Sequence, residues 1–288
     1  MKDLVFEIRN LCKKSHEGSF ETQRKRMAVL TLATKQLTGE LGYQHMNVRS
    51  LKPKHVDALV KLWQSQNLST TTIKVRMSQL RWWAEKIHKK NVIARKNDHY
   101  GVKHRVYVNQ GSKALVLTDE QINTIDDEYV RASVMMARAF GLRKEEAIKV
   151  IPSIANESDR LYLRPSWCKG GRERLIPIRN EQQREALENA LIVAGNGSLI
   201  PPNLRYIQQR RHYEKVTLNL GMKRLHGLRH HYAQTRYREL TGWDCPHLGG
   251  PKKQELNDAE REIDLRARET LTSELGHNRI AVLVNYLG

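Results

Sequence analysis

Residues 160–178 read Arg160-Leu-Tyr-Leu-Arg164, Pro-Ser-Trp-Cys168, Lys169-Gly-Gly171, Arg172-Glu-Arg-Leu-Ile-Pro-Ile178. Two short runs rich in Leu, Ile and Tyr flank a Lys-Gly-Gly turn, which predicts a β-hairpin. The chain shows this change of period only here; on both sides apolar residues recur at three- and four-residue steps. The expected fold class is mainly α with a small β-hairpin or sheet.

Four helical segments follow the hairpin, near 180–194, 203–219, 225–240 and 258–275. Gly195, Pro201-Pro202, Gly221 and Gly249-Gly250-Pro251 punctuate them. Before it, Thr118-Asp-Glu-Gln121 has the pattern of a capping box. A helix through Tyr129–Phe140 closes at Gly141, and Lys144–Val150 starts another. Between Lys89 and Lys113 the helical period dissolves into Lys, Arg, Asn, Gly and His. We place a linker at 101–112, between a helical domain (1–100) and a second domain (113–288).

The first domain reads as three helices. From Phe20 to Leu41, Met27, Leu30, Ala33, Leu37 and Leu41 fall on one face, with Arg24, Lys25 and Arg26 at the start. Pro53 opens the next, through Val56, Leu59, Val60 and Trp63, at a first-turn position that proline tolerates. Ser69 caps the third, which puts Ile73, Met77, Leu80, Trp83 and Ile87 on one side and Lys74, Arg76, Arg81 and Lys86 on the other.

Charge points to the partner. The chain has 288 residues, 50 Lys and Arg against 31 Asp and Glu, and a formal charge of +19. Residues 1–110 alone hold 22 basic against 8 acidic side chains. An enzyme of small molecules has no use for so basic a first third, whereas contacts to nucleic-acid phosphates release condensed counterions. Double-stranded DNA is the expected partner, with Arg24, Lys25, Arg26, Lys74, Arg76, Arg81, Lys96 and Arg105 as candidate contacts. A ribosome-associated protein or a merely solvated basic surface are the alternatives. Cys12, Cys168 and Cys245 lie far apart, which argues against a disulfide framework or a structural zinc site. No run approaches the roughly 18 apolar residues of a membrane span, and no signal peptide is evident, so a cytoplasmic location is expected.

The second domain carries four pieces in order: Gly141-Leu142-Arg143-Lys-Glu-Glu146, Lys169-Gly170-Gly171, His226-Gly-Leu-Arg229-His230, and Leu275-Gly276-His277 with Tyr286 nine positions on. Together they resemble the catalytic domain of tyrosine recombinases, the family of phage integrases, integrases of conjugative elements and Xer-type resolvases. The resemblance covers residues 113–288; the basic helical domain is similar, less specifically, to the family's core-binding (SAM-like) domain. It implies a two-domain clamp on DNA, four protomers joining two duplexes, a monomer or dimer free in solution and an accessory excision factor. It further implies that Arg143 is the first catalytic arginine, Lys169 the hairpin lysine, His226 and Arg229 the H-x-x-R pair, His277 the second histidine and Tyr286 the nucleophile. Glu146 stands where the family places an acidic residue that buttresses the arginine.

The residue types suit DNA cleavage without metal or cofactor. Two guanidiniums can supply the positive charge that a phosphorane-like transition state needs. A phenol with a free pKa near ~10 needs a neighbouring base or a cationic site, and an imidazole near ~6.5 is a candidate. Singly, each piece is unremarkable: Gly-Leu-Arg is common, Lys-Gly-Gly is an ordinary turn, and His226 with His230 at i, i+4 could suggest a metal were a zincin's Glu present. No phosphate loop and no G-x-S-x-G elbow competes with them.

Two departures stand out. Between Arg229 and His277 lie 47 residues, more than a typical integrase uses, and 239–268 reads as an insertion. It is either a surface loop, which costs little, or a contact element with Trp243 as an exposed anchor. Only Leu287 and Gly288 follow Tyr286, leaving open whether the tyrosine acts in its own site or a neighbour's. Integration and excision of a mobile element is the expected role. Dimer resolution, a type IB topoisomerase and a non-catalytic DNA-binding regulator are the alternatives.

Overall fold

The computed structural model describes residues 3–104 and 111–288. The chain divides into two compact units, residues 1–106 and 107–288.

The first unit is built on α1 (Leu4–Lys14), α2 (Phe20–Lys35), α3 (Pro53–Ser65) and α4 (Thr70–Lys86). Ser19 and Ser69 cap α2 and α4 through their hydroxyls, relieving unpaired first-turn N–H groups. Beyond Lys35 the expected helix to Leu41 continues as a π-turn, Gln36–Glu40. There buried Gln36 accepts a hydrogen bond from Trp63 Nε1 at 2.9 Å, within a core of Ile8, Leu30, Leu59, Leu80 and Trp83. The segment from Lys89 is more ordered than its composition suggests. It makes 3₁₀ turns at Lys90–Val92 and Asn97–Tyr100, and Ile93 and Val102 are buried in the core. Turns this short have no period to read, and here they are held by side chains rather than by their own repeat.

The second unit comprises α5 (Asp119–Asn123), α6 (Glu128–Phe140), α7 (Lys144–Lys149), α8 (Pro152–Ala155), α9 (Glu181–Ala194), α10 (Tyr206–Asn219), α11 (Gly227–Thr241), α12 (Asp258–Glu274) and α13 (Val284–Leu287). Strands β1 (Arg160–Leu163) and β2 (Arg174–Pro177) pair antiparallel, Arg160 opposite Pro177 and Leu163 opposite Arg174. The expected capping box at Thr118 and Gln121 forms. Helix α11 lies in the middle, burying Leu228, Arg229, Tyr232, Ala233 and Tyr237 against α6 and α12.

The inserted region is tied down. Tyr237 Oη donates to Asp264 at 2.6 Å, Arg268 pairs with the same carboxylate at 2.8 Å, and Trp243 Nε1 donates to Tyr237 Oη at 3.3 Å. Trp243 is half-buried against the core and not the exposed anchor expected, because its indole closes this network. Among the described residues no helix is long and apolar enough to cross a membrane, and no cluster of His, Cys, Asp and Glu could hold a metal ion.

Candidate active site

The Gly141-Leu142-Arg143 turn owes its shape to one contact. Gly141 ends α6 at φ +61°, and a Cβ there would lie 2.6 Å from the ring of Tyr232 on α11. Only glycine suits both demands. Arg143 then caps α7, where its backbone N–H donates to Glu146 at 2.8 Å and its Nη1 to the same carboxylate at 2.7 Å.

Glu146 is fully buried and holds a second arginine. Arg174 of β2 meets it end-on with both terminal nitrogens, Nη1 to Oε1 at 3.0 Å and Nη2 to Oε2 at 2.7 Å. Burial alone would raise this carboxyl, but Arg174's hydrogen bonds and charge, with the charges of Arg143 and Arg229, bring it down to about 2. Arg174 was not singled out in the sequence; its signal is a basic residue at an inward strand position. Its side chain also explains Gly276 (φ +63°), since a Cβ there would meet Arg174 Cδ at 2.6 Å.

His226 precedes α11. The next residue must be glycine, because a Cβ on Gly227 would stand 2.6 Å from Leu115 Cβ and 2.7 Å from the Lys113 carbonyl. One turn on, Arg229 is 1 % exposed. Its Nη1 donates to the Gly141 carbonyl at 2.6 Å and its Nη2 to the Leu275 carbonyl, so it ties the first and last motifs together. Its Nη2 also meets His277 Nε2 at 3.4 Å, and its Nε donates to Tyr286 Oη at 3.4 Å. Burial, then repulsion from Arg143, lowers the guanidinium to about 10, which leaves it charged at neutral pH.

Tyr286, in α13, is 5 % exposed and enclosed by imidazoles. The rings of His230, His277 and His226 lie 4.4, 5.5 and 6.3 Å from its own. Burial followed by the neighbouring arginine charges lowers His226 and takes His277 down to about 3. Both are therefore neutral at pH 7, each with one N–H and one lone pair.

Above this assembly opens a cleft of about 830 Å³, lined by Arg143, Lys169, His226, His277 and Tyr286, with Arg172 and Arg279 at its edges. Lys169 stands exposed in the link between the strands. Thus five of the six predicted catalytic residues share one cleft, and the sixth, Arg229, lies beneath the phenol with its donors turned partly to backbone carbonyls. Arg172 and Arg279 are cationic neighbours that the motifs did not mark.

The candidate DNA contacts of the first unit divide. Arg24 and Lys25 are exposed and share Glu21, at 2.8 and 3.4 Å. Lys96 is exposed and Lys74 half-buried. Arg26 is 7 % exposed, stacked 4.3 Å from the Trp82 ring centroid and bonded to the Glu17 carbonyl, so it is a packing residue. Arg76 lies over the Trp63 ring at 5.2 Å. Arg81 is spent on the Ala94 carbonyl (2.9 Å) and Asn97 (2.6 Å). Arg26 and Arg76 lay their cationic heads over apolar rings, and Arg81 is held by polar groups of a following segment; helical periodicity alone reveals neither. Arg105 lies outside the described residues.

Residues 1–92 match the family model of the phage integrase N-terminal domain, and residues 104–235 match that of the integrase domain. No curated protein matches the chain in sequence. Among solved structures, the Tn1549 transposon integrase in complex with circular intermediate DNA is similar at 14% identity, with a TM-score of 0.56 over 100% of this chain and 96% of that one. A lambda integrase dimer bound to a core site is similar at 14% identity and TM-score 0.61, over 96% and 73% of the two chains. The XerH site-specific recombinase, in a post-cleavage complex, gives 15% and 0.61 over 99% and 81%. At these identities the likeness concerns the fold.

Proposed function

The chain belongs to the phage integrase family, and on that premise we propose that it is a site-specific tyrosine recombinase that breaks and rejoins DNA through Tyr286. The observation that carries the reading is the 3.4 Å approach of Tyr286 Oη to Arg229 Nε at the floor of a cationic cleft.

The scissile phosphate enters the cleft over Tyr286. Arg143, pre-aimed by Glu146, and Lys169 face its non-bridging oxygens, and Arg229 supplies a fixed charge from below. The Tyr286 oxygen attacks phosphorus as His226, neutral at pH 7, takes the phenolic proton, closing the gap once DNA fills the cleft. The bond to the 5′-oxygen breaks, and Lys169 gives that oxygen a proton. The products are a 3′-phosphotyrosine and a free 5′-hydroxyl. His277 donates its N–H to the phosphate. Attack by another strand's 5′-hydroxyl reverses the step with no external energy source. The site asks for no cofactor, since each charge and proton is supplied by a side chain.

The partner is double-stranded DNA, bound by tetramers on paired sites, with an accessory factor for excision, and the setting is the cytoplasm. Integration and excision of a mobile element is the role we propose for this chemistry, which dimer resolution would share. The test uses nicked duplexes drawn from a randomised pool by binding to the protein. The wild type should yield a covalent 3′ adduct on a denaturing gel, and Tyr286→Phe none at equal occupancy. Adduct from the Phe variant would refute the assignment.

A further inference from the structure

The insertion between Arg229 and His277 reaches the tyrosine from behind. After Trp243 the chain makes a tight turn, Cys245 to Gly250, with Leu248 N–H and Gly250 N–H both donating to the Cys245 carbonyl at 2.8 and 3.1 Å. Cys245 is fully buried, and a Cβ on Gly250 would fall 1.6 Å from the Asp244 carbonyl oxygen, so the turn is specified by its own sequence. Its base is bolted to α11 and α12 by the Tyr237, Trp243, Asp264 and Arg268 network. From this rigid base His247 Nδ1 meets the Tyr286 backbone carbonyl at 3.2 Å, and Pro246 Cβ and His247 N lie 3.0 and 3.1 Å from a Cβ placed on Gly288.

Helix α13 needs such support. It is a single turn, Val284–Leu287, and one turn orders several residues for very few hydrogen bonds of its own. The Tyr286 carbonyl accepts from two side chains, Gln234 of α11 at 2.8 Å and His247 of the insertion. Gln234 anchors the carbonyl to the helix that carries Arg229; His247 closes it from the opposite element.

We infer that the inserted turn is a latch, with His247 the positioning residue that holds the Tyr286 turn against Arg229 of its own chain. The inference rests on Tyr286 being the nucleophile. His247 meets the backbone carbonyl of Tyr286 and not its hydroxyl, so on this reading its loss slows cleavage without weakening binding. For the contact to form, Nδ1 must carry a proton and donate to the carbonyl. Asn at 247 places an amide N–H near the Nδ1 position, whereas Gln carries it one bond further out.

The test measures the rate of covalent adduct formation on the selected nicked duplex, alongside affinity for the same duplex. His247→Ala should cleave roughly five- to tenfold more slowly, the scale of one lost neutral hydrogen bond, with affinity unchanged, and His247→Asn should restore most of the rate. Wild-type kinetics from His247→Ala overturns the latch. So does slowing that Asn fails to relieve, or a matching loss of affinity. If the Ala variant does not fold, Asn and Gln decide: Asn fast and Gln slow supports the latch, and equal rates overturn it. Tyr286→Phe is run in parallel, so adduct from that variant marks failure of the nucleophile reading and not of the latch alone.

Discussion

Arg174 and Glu146 form a two-point ion pair, 3.0 and 2.7 Å, whose side chains are 2% and 1% exposed. Through it the hairpin strand that follows Lys169 is fastened to the carboxylate that aims Arg143. Removing Arg174 takes two charge-assisted hydrogen bonds from Glu146 and leaves it with Arg143 alone. Arg174→Met should therefore lose about 1.5–3 kcal/mol of stability, the scale of a hydrogen bond to a buried charge that keeps another partner. Urea denaturation checks this, and a loss below about 1 kcal/mol contradicts it, being the scale of an exposed pair.

Gly276 shares that geometry. With φ +63° and Arg174 Cδ 2.6 Å from a virtual Cβ, alanine there is strained twice. Arg174 cannot step aside while Glu146 holds it. Gly276→Ala should cost about 1–3 kcal/mol, and its cost should shrink in the Arg174→Met background. Additive losses in the double variant would show that the two positions are independent.

Stability should fall in mild acid. His230 is lowered to about 4 by burial and then by His226, and His277 to about 3 by burial and the arginines, from an ordinary 6.5. The unfolded chain thus takes up protons first. The stabilisation is complete above 6.5 and is lost as pH falls toward 4 and 3, and Glu146, at about 2, adds to the loss only below its ordinary 4.5. The urea midpoint should drop steadily from about pH 7 to about pH 4. A midpoint that is flat across this window would show that these imidazoles are not held neutral.

Cleavage should persist to lower pH than a free imidazole allows. A base must be neutral to act, and burial followed by Arg229 and Arg143 holds His226 below its usual value. The acid limb of the single-turnover adduct rate should lie below about pH 6.5. A limb above that value would point to a different base.

Tyr286 should act on the phosphate held by its own chain, because its hydroxyl meets Arg229 of that chain at 3.4 Å. Mixing Tyr286→Phe with Arg143→Ala, each inactive alone, should yield no adduct. Adduct from the mixture would mean that the tyrosine is exchanged between protomers.

The sequence by itself determined the helices from Phe20 onward in outline, the capping box at Thr118 and the presence of one hairpin, because periodicity, caps and turn residues act within a few positions of one another; α1 (Leu4–Lys14) was not among them. It also marked the four motifs, whose side chains the structure gathers around one cleft. Long-range packing decided the rest. That Arg26 and Arg81 are spent inside the first unit depends on Trp82 and Ala94 arriving beside them. The pairing of Arg174 with Glu146 spans 28 positions, and that of His247 with Tyr286 spans 39. Contacts between side chains so far apart follow from how the helices cross, and a local pattern carries no record of that.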